Sequence, residues 1–150
     1  MAIYFFDSSA LVKRYAQETG SAWVETMASR HYVFLARITQ VEMIAAFERR
    51  KRIGTLSTAQ VSLAIATFRT HLSTEYAMID ISRSLISQAA DLAEIHGLRA
   101  YDAVQLAAAL QLQSERNAAR MPGLIFISAD RTLNAAAMAE SLIVEDPNTH

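Results

Sequence analysis

Four carboxylates, Asp7, Glu42, Asp102 and Asp130, lie far apart in the chain, yet each stands where an apolar run ends or a helical pattern begins. In an α/β fold the carboxyl ends of the strands, and the helix starts beyond them, meet along one edge of the sheet, where ligands bind. Carboxylates brought to that edge would form one acidic pocket. Such a pocket suits a hard divalent cation, because Mg²⁺ prefers oxygen ligands and keeps several of its waters.

The local contexts place each acid. Ile3 to Phe6 is an apolar run of strand length that stops at Asp7-Ser8-Ser9, after which Ala10 to Tyr15 reads as helical. Leu124 to Ile127 repeats the design, with Ser128-Ala129-Asp130 before a helical stretch from Arg131 to Ala139. Asp102 falls in the first turn of a long helix approached by Gly97-Leu98-Arg99-Ala100, whose apolar content is Val104, Leu106, Ala107, Leu110 and Leu112. Glu42 follows Thr39 by three residues at the front of the series Val41, Ile44, Ala45 and Phe47. Taken singly, each acid has an ordinary explanation. Asp7 and Asp130 suit helix N-caps, Thr39 with Glu42 suits a capping box, and Asp102 suits the positive end of a helix dipole.

The contexts together are more specific than the acids alone. Asp7-Ser8-Ser9-Ala10-Leu11-Val12-Lys13, Glu42 in the third helix, Tyr101-Asp102-Ala103-Val104-Gln105-Leu106-Ala107-Ala108-Ala109-Leu110 and Ser128-Ala129-Asp130 resemble the PIN-domain ribonucleases, and within them the VapC-type toxins. The resemblance extends over essentially the whole chain in order, spacing and length. It implies that Asp7, Glu42, Asp102 and Asp130 form an acidic quartet that binds Mg²⁺ or Mn²⁺ and cleaves RNA phosphodiesters, with the Ser9 hydroxyl beside the first Asp. It also implies a small VapB-like antitoxin as partner, a basic side chain entering the acidic pocket, and a homodimer formed through helices. One departure is visible: the family often has Gly before its last strand, whereas here Ala139-Glu140-Ser141 leads into Leu142-Ile143-Val144.

The chemistry is consistent with that likeness. A phosphodiester is anionic, and the charge developing on it needs positive stabilisation that four carboxylates cannot give. A bound metal ion lowers the pKa of its water, and in two-metal sites a second ion about 4 Å away stabilises the leaving oxygen. Without metal the like charges raise at least one carboxyl pKa.

Composition bounds the alternatives. A chain of 150 residues, 52% hydrophobic, can bury a core as a single domain spanning 1–150. The absence of cysteine excludes disulfides and thiolate zinc sites. No stretch reads as a signal peptide or reaches membrane-spanning length, so a cytoplasmic enzyme without membrane association is the expectation. The formal charge of −1 argues against simple electrostatic wrapping of nucleic acid, but 12 of the 14 basic residues are Arg, suited to bidentate phosphate contacts. Arg49-Arg50-Lys51-Arg52 is the only dense basic run, a candidate RNA contact or a solvated helix end terminated at Gly54. The four histidines show no ligand spacing. Ser8, Ser9 and Ser128 lack a nucleophile-elbow context and are assigned to capping or to supporting the acids. Trp23, Phe47 and Phe68 read as core. No Gly-rich phosphate loop is present, against P-loop or Rossmann chemistry.

The expected order is strand 2–6, helices 9–16 and 20–29, strand 33–36, helix 39–52, a helix from the Ser57/Gln60 capping box to about 72, strand 77–81, helices 82–96 and 101–116, strand 124–128, helix 131–139 and strand 142–144. This alternation predicts a three-layer α/β/α, PIN-like domain with a mostly parallel central sheet. Three other functions compete: a phosphoaspartate receiver, disfavoured because Ser8 rather than a second acid follows Asp7; a PIN nuclease of RNA processing rather than a toxin; and a non-catalytic module whose acidic pocket captures an arginine-bearing partner.

Overall fold

The computed structural model describes residues 2–150. Among these, five strands form one sheet: β1 (Ile3–Phe6), β2 (Tyr32–Ala36), β3 (Tyr76–Ile79), β4 (Ile125–Ile127) and β5 (Ile143–Glu145). Their order is β3-β2-β1-β4-β5 and every pairing is parallel. Seven helices accompany them: α1 (Ser8–Leu11), α2 (Ser21–Arg30), α3 (Thr39–Arg52), α4 (Thr58–Thr74), α5 (Arg83–His96), α6 (Ala100–Ala118) and α7 (Arg131–Ala139).

The central strand shows why the chain makes three layers. Side chains alternate across a strand, and in β1 both faces are apolar: Tyr4 and Phe6 enter one core while Phe5 enters the other. The Tyr4/Phe6 face packs with Val33, Leu35 and residues of α1 to α4, including fully buried Met43, Phe47 and Phe68. Phe5 stacks on Phe126, with ring centroids 5.7 Å apart, under α5, α6 and α7. In α6 the run Ala103 to Ala109 is buried throughout, and its small side chains let the helix lie close to the sheet.

Several boundaries differ from the sequence expectation for visible reasons. The helix predicted over 9–16 is one α-turn, α1, followed by a 3₁₀ turn at Val12–Arg14. The third strand lies at Tyr76–Ile79 rather than 77–81, because the ladder ends where Arg37 N–H donates to the Ile79 carbonyl and the Arg37 guanidinium bonds Asp80 at 2.7 Å. The Thr39/Glu42 capping box does not form. Ile38 occupies the N-cap, and Thr39 lies inside α3 with its hydroxyl bonded elsewhere. The Ser57/Gln60 box does form, with both reciprocal bonds. Where the family often has Gly before the last strand, Ser141 adopts φ +68°, a left-handed conformation that favours Gly. The turn thus carries its strain on a residue with a Cβ.

Candidate active site

In a sheet of this order, β1 and β4 are neighbours whose connections leave to opposite sides, and the crevice beyond their carboxyl ends is where α/β folds bind ligands. Asp7 directly follows β1, and Asp130 stands three residues past the end of β4, after Ser128 and Ala129. Each caps the next helix: Asp7 Oδ1 accepts from Ala10 N–H at 3.2 Å, and Asp130 Oδ1 accepts from Leu133 N–H at 2.9 Å. Capping therefore does not compete with a site role, since it fixes one oxygen of each carboxylate and leaves the other at the crevice. Asp102, in the first turn of α6, and Glu42, in the first turn of α3, complete the lining of one open cleft of 430 Å³ with Asp7 and Asp130. Ser9, Arg50, Arg99 and Tyr101 share its walls.

The supporting bonds tie remote segments together. Ser9 Oγ donates to Asp7 Oδ1 at 2.7 Å and accepts from Ala129 N–H at 3.0 Å, so one hydroxyl links the end of β1 to the turn after β4. Ser128 is fully buried; its Oγ accepts from Asp130 N–H at 3.1 Å and lies 3.4 Å from Ser9 Oγ, while its carbonyl accepts from Asn134 Nδ2. Gln105, one turn along α6 from Asp102, donates from Nε2 to Glu42 Oε1 at 2.6 Å and to Thr39 Oγ1 at 2.7 Å. This side chain is buried, and its Oε1 has no hydrogen-bond partner. Such an orphaned carbonyl costs free energy, which the two donated bonds offset by holding α3 against α6.

The electrostatics show a cluster rather than four separate caps. Burial pushes the Asp7 carboxyl up to about 7; its bonds from Ser9 and Ala10 oppose this, and the charges of Asp102 and Glu42 add to it. Glu42 is raised by burial, an effect that the Gln105 bond opposes and the Asp102 charge reinforces. Asp102 is raised by burial and by Asp130, and is held down in part by Arg99. Each of these acids feels another across the cleft. A divalent cation would relieve this repulsion, and the donors on offer, carboxylates and hydroxyls, are the hard oxygen set that Mg²⁺ or Mn²⁺ takes. The residues thus fit an oxygen-ligated metal, with Asp7, Glu42, Asp102 and Asp130 as its candidate holders. Among the described residues no three acids or histidines close a ligand shell as they stand. The Arg99 guanidinium lies between two of the carboxylates, 3.2 Å from Asp102 Oδ2 and 3.2 Å from Asp130 Oδ2.

The predicted basic run divides. Arg50 borders the cleft and pairs with Glu18 at 3.3 Å; Arg49 borders an adjoining recess. Lys51 pairs with Glu48 at 2.6 Å within α3, and Arg52 is exposed at the helix end, which Gly54 terminates at φ +84°. The residues that sequence reasoning missed are Arg99, Gln105 and Thr39. A signal was available for Arg99, which stands three residues before Asp102 and bonds it at that spacing. A larger recess of 690 Å³ lies elsewhere, between α2 and α4. Its Arg14 is already committed to Glu25 at 2.8 Å, Glu75 at 2.7 Å and the Tyr76 hydroxyl at 2.7 Å, so the free acidic chemistry is in the smaller cleft.

A family model described as PIN domain matches residues 4–138. The sequence is 29% identical over 140 residues to Ribonuclease VapC45 of Mycobacterium tuberculosis (strain CDC 1551 / Oshkosh), covering 93% of this chain and 92% of that protein. Among solved structures, Mycobacterium tuberculosis VapC20, described as a sarcin-ricin loop cleaving toxin, superposes with a TM-score of 0.63 at 16% identity over 90% of this chain and 95% of that one. VapBC2 from Rickettsia felis, bound to a DNA fragment from their promoter, superposes with a TM-score of 0.61 at 15% identity over 96% and 98%. At these identities the superpositions establish the fold.

Proposed function

Because the chain belongs to the PIN-domain family, we propose that it is a metal-dependent endoribonuclease acting as the toxin of a toxin–antitoxin pair, with residues 1–150 working as one nuclease domain. The observation that carries this reading is the gathering of Asp7, Glu42, Asp102 and Asp130 around one cleft in which Asp7, Glu42 and Asp102 are each pushed toward protonation by burial and by a neighbouring acid. These four residues would hold Mg²⁺ or Mn²⁺, which when bound supplies an acidified water and positive charge at the phosphoryl oxygens. The rest is the work of the chain's own groups. Ser9 and the Ala10 N–H hold one Asp7 oxygen, Leu133 N–H holds one of Asp130, and Gln105 holds Glu42, so the acids enter the reaction already oriented. Arg99, at the wall of the cleft, would receive a phosphate of the RNA strand, whereas Arg50 on the same wall is held by Glu18.

The similarity to toxins solved with their antitoxins supports a VapB-like partner here. A basic side chain of that partner entering the acidic cleft would block it, and Arg99 shows that these carboxylates accept a guanidinium. A homodimer is part of the same reading, through exposed apolar residues on helix faces such as Val41 and Leu63, and light scattering that finds only monomer at micromolar concentration would remove it. The deciding experiment for the enzyme is cleavage of a structured RNA by purified protein in Mg²⁺ or Mn²⁺. Chelator and Asp7→Asn should each abolish it, and cleavage that persists undiminished in excess EDTA or in Asp7→Asn would overturn the proposal. Co-purification with the product of the neighbouring small open reading frame should silence the activity.

A further inference from the structure

Arg99 precedes α6 in an extended conformation, and its side chain is 82% exposed, so little packing fixes its arm. Its position comes from two bonds: Nε donates to Asp102 Oδ2 and Nη2 donates to Asp130 Oδ2, each at 3.2 Å. The two carboxylates come from different elements, the first turn of α6 and the turn after β4, and they repel one another. One planar fork therefore bridges two acids that would otherwise be driven apart, using oxygens that a divalent ion in the cleft would also claim. Two cationic centres cannot share that pair of oxygens without strong mutual repulsion.

A phosphodiester approaching this cleft meets mostly carboxylates. Of the two arginines on its walls, Arg50 is committed to Glu18, whereas Arg99 is tied only to the acids the ion would take. Freed from them, its guanidinium stays tethered at the mouth and offers the bidentate geometry that fits phosphate oxygens.

We infer that Arg99 is a tethered counter-cation: it bridges Asp102 and Asp130 before the divalent ion arrives, yields them to that ion, and then binds a phosphoryl oxygen of the RNA. This rests on the ribonuclease reading above, which it deepens by giving the cleft an order of events. It assigns one residue effects of opposite sign, weakening metal binding while strengthening substrate binding.

The test uses the full chain with Arg99→Gln and Arg99→Lys, which should both fold because the side chain is solvated. Titration calorimetry with MgCl₂ in the absence of RNA reads the metal alone. Arg99→Gln should bind Mg²⁺ more tightly by about two- to tenfold, the range expected from removing two solvent-screened ion pairs. Steady-state cleavage of a single-stranded oligoribonucleotide at saturating Mg²⁺ should show a raised KM for Arg99→Gln, and a smaller rise for Arg99→Lys, which keeps the charge and loses the fork. Unchanged or weaker Mg²⁺ binding by Arg99→Gln would reduce Arg99 to an ordinary surface ion pair and overturn the inference, as would an unchanged KM. If wild type itself gives no Mg²⁺ binding, the ribonuclease reading fails first, and the wild-type titration alone reveals this.

Discussion

Neutralising Asp7 should make the metal-free protein more stable near neutral pH, the reverse of what removing a helix cap does. The Asp7 carboxyl is 2% exposed and its pKa is pushed from an ordinary 3.8 to about 7. An acid whose folded pKa lies above its unfolded one binds more protons in the folded state between those values, so stability falls as pH rises through that window, from about 4 to about 7. Three pKa units correspond to about 4 kcal/mol at 1.36 kcal/mol per unit, and relaxation around the open cleft lowers the expected effect to about 2 to 4 kcal/mol. Asn retains the capping geometry, because its carbonyl oxygen can accept from Ala10 N–H and from Ser9. Urea denaturation in EDTA should therefore find Asp7→Asn close to wild type near pH 4 and more stable above pH 7. Adding Mg²⁺ at pH 8 should close most or all of that gap, since wild type gains about 2.7 kcal/mol at a hundredfold excess over the dissociation constant and the variant loses a ligand. A variant less stable than wild type by a constant amount across the whole pH range would show that Asp7 is a cap and nothing more.

Three other substitutions probe the surrounding structure. Asp102→Asn should leave stability in EDTA equal or raised, rather than cost the roughly 0.3 to 1 kcal/mol of a lost helix-dipole charge, and should shrink the Mg²⁺ increment in thermal melts. Gln105→Leu strips Glu42 and Thr39 of their shared donor and should cost about 1 to 3 kcal/mol in denaturant titrations; Mg²⁺ affinity measured by calorimetry should fall as Glu42 loses its orientation. Ser141→Gly relieves a left-handed residue and should stabilise by about 0.5 to 1 kcal/mol, after the added unfolded-state freedom of Gly is subtracted, with Mg²⁺ binding unchanged.

The sequence exposed what is written locally. Asp7 and Asp130 were legible because each closely follows a strand-length apolar run, ending at Phe6 and at Ile127, and those two strands are neighbours. The Ser57/Gln60 box was legible because its two bonds join residues three apart. The same rule misled at Thr39 and Glu42, where both side chains bond Gln105, more than 60 positions away, instead of each other's backbone. A tertiary partner of this kind leaves no periodic trace. The basic run shows a similar limit: four adjacent cations look equivalent in the sequence, and only the packing of α3 makes Arg50 a wall of the cleft while Lys51 pairs along the helix. The helix predicted over 9–16 failed because its apolar spacing is shared by an α-turn followed by a 3₁₀ turn.

The Ser9 hydroxyl that joins Asp7 to the Ala129 amide has a consequence for timing. Ser9 and Ala129 are 120 residues apart in the chain, and β1 lies in the middle of the sheet with β4 as one neighbour. Contacts this distant form only after the intervening chain has been made and ordered, and a ribosome adds residues at about 5 to 20 per second. A nascent chain that has passed Asp102 already carries three of the four acids. Yet its central strand lacks the edge that closes the crevice, and Asp7 lacks the second support for its hydroxyl partner. The cleft therefore cannot assemble until β4 and the turn after it have been synthesised and have docked beside β1.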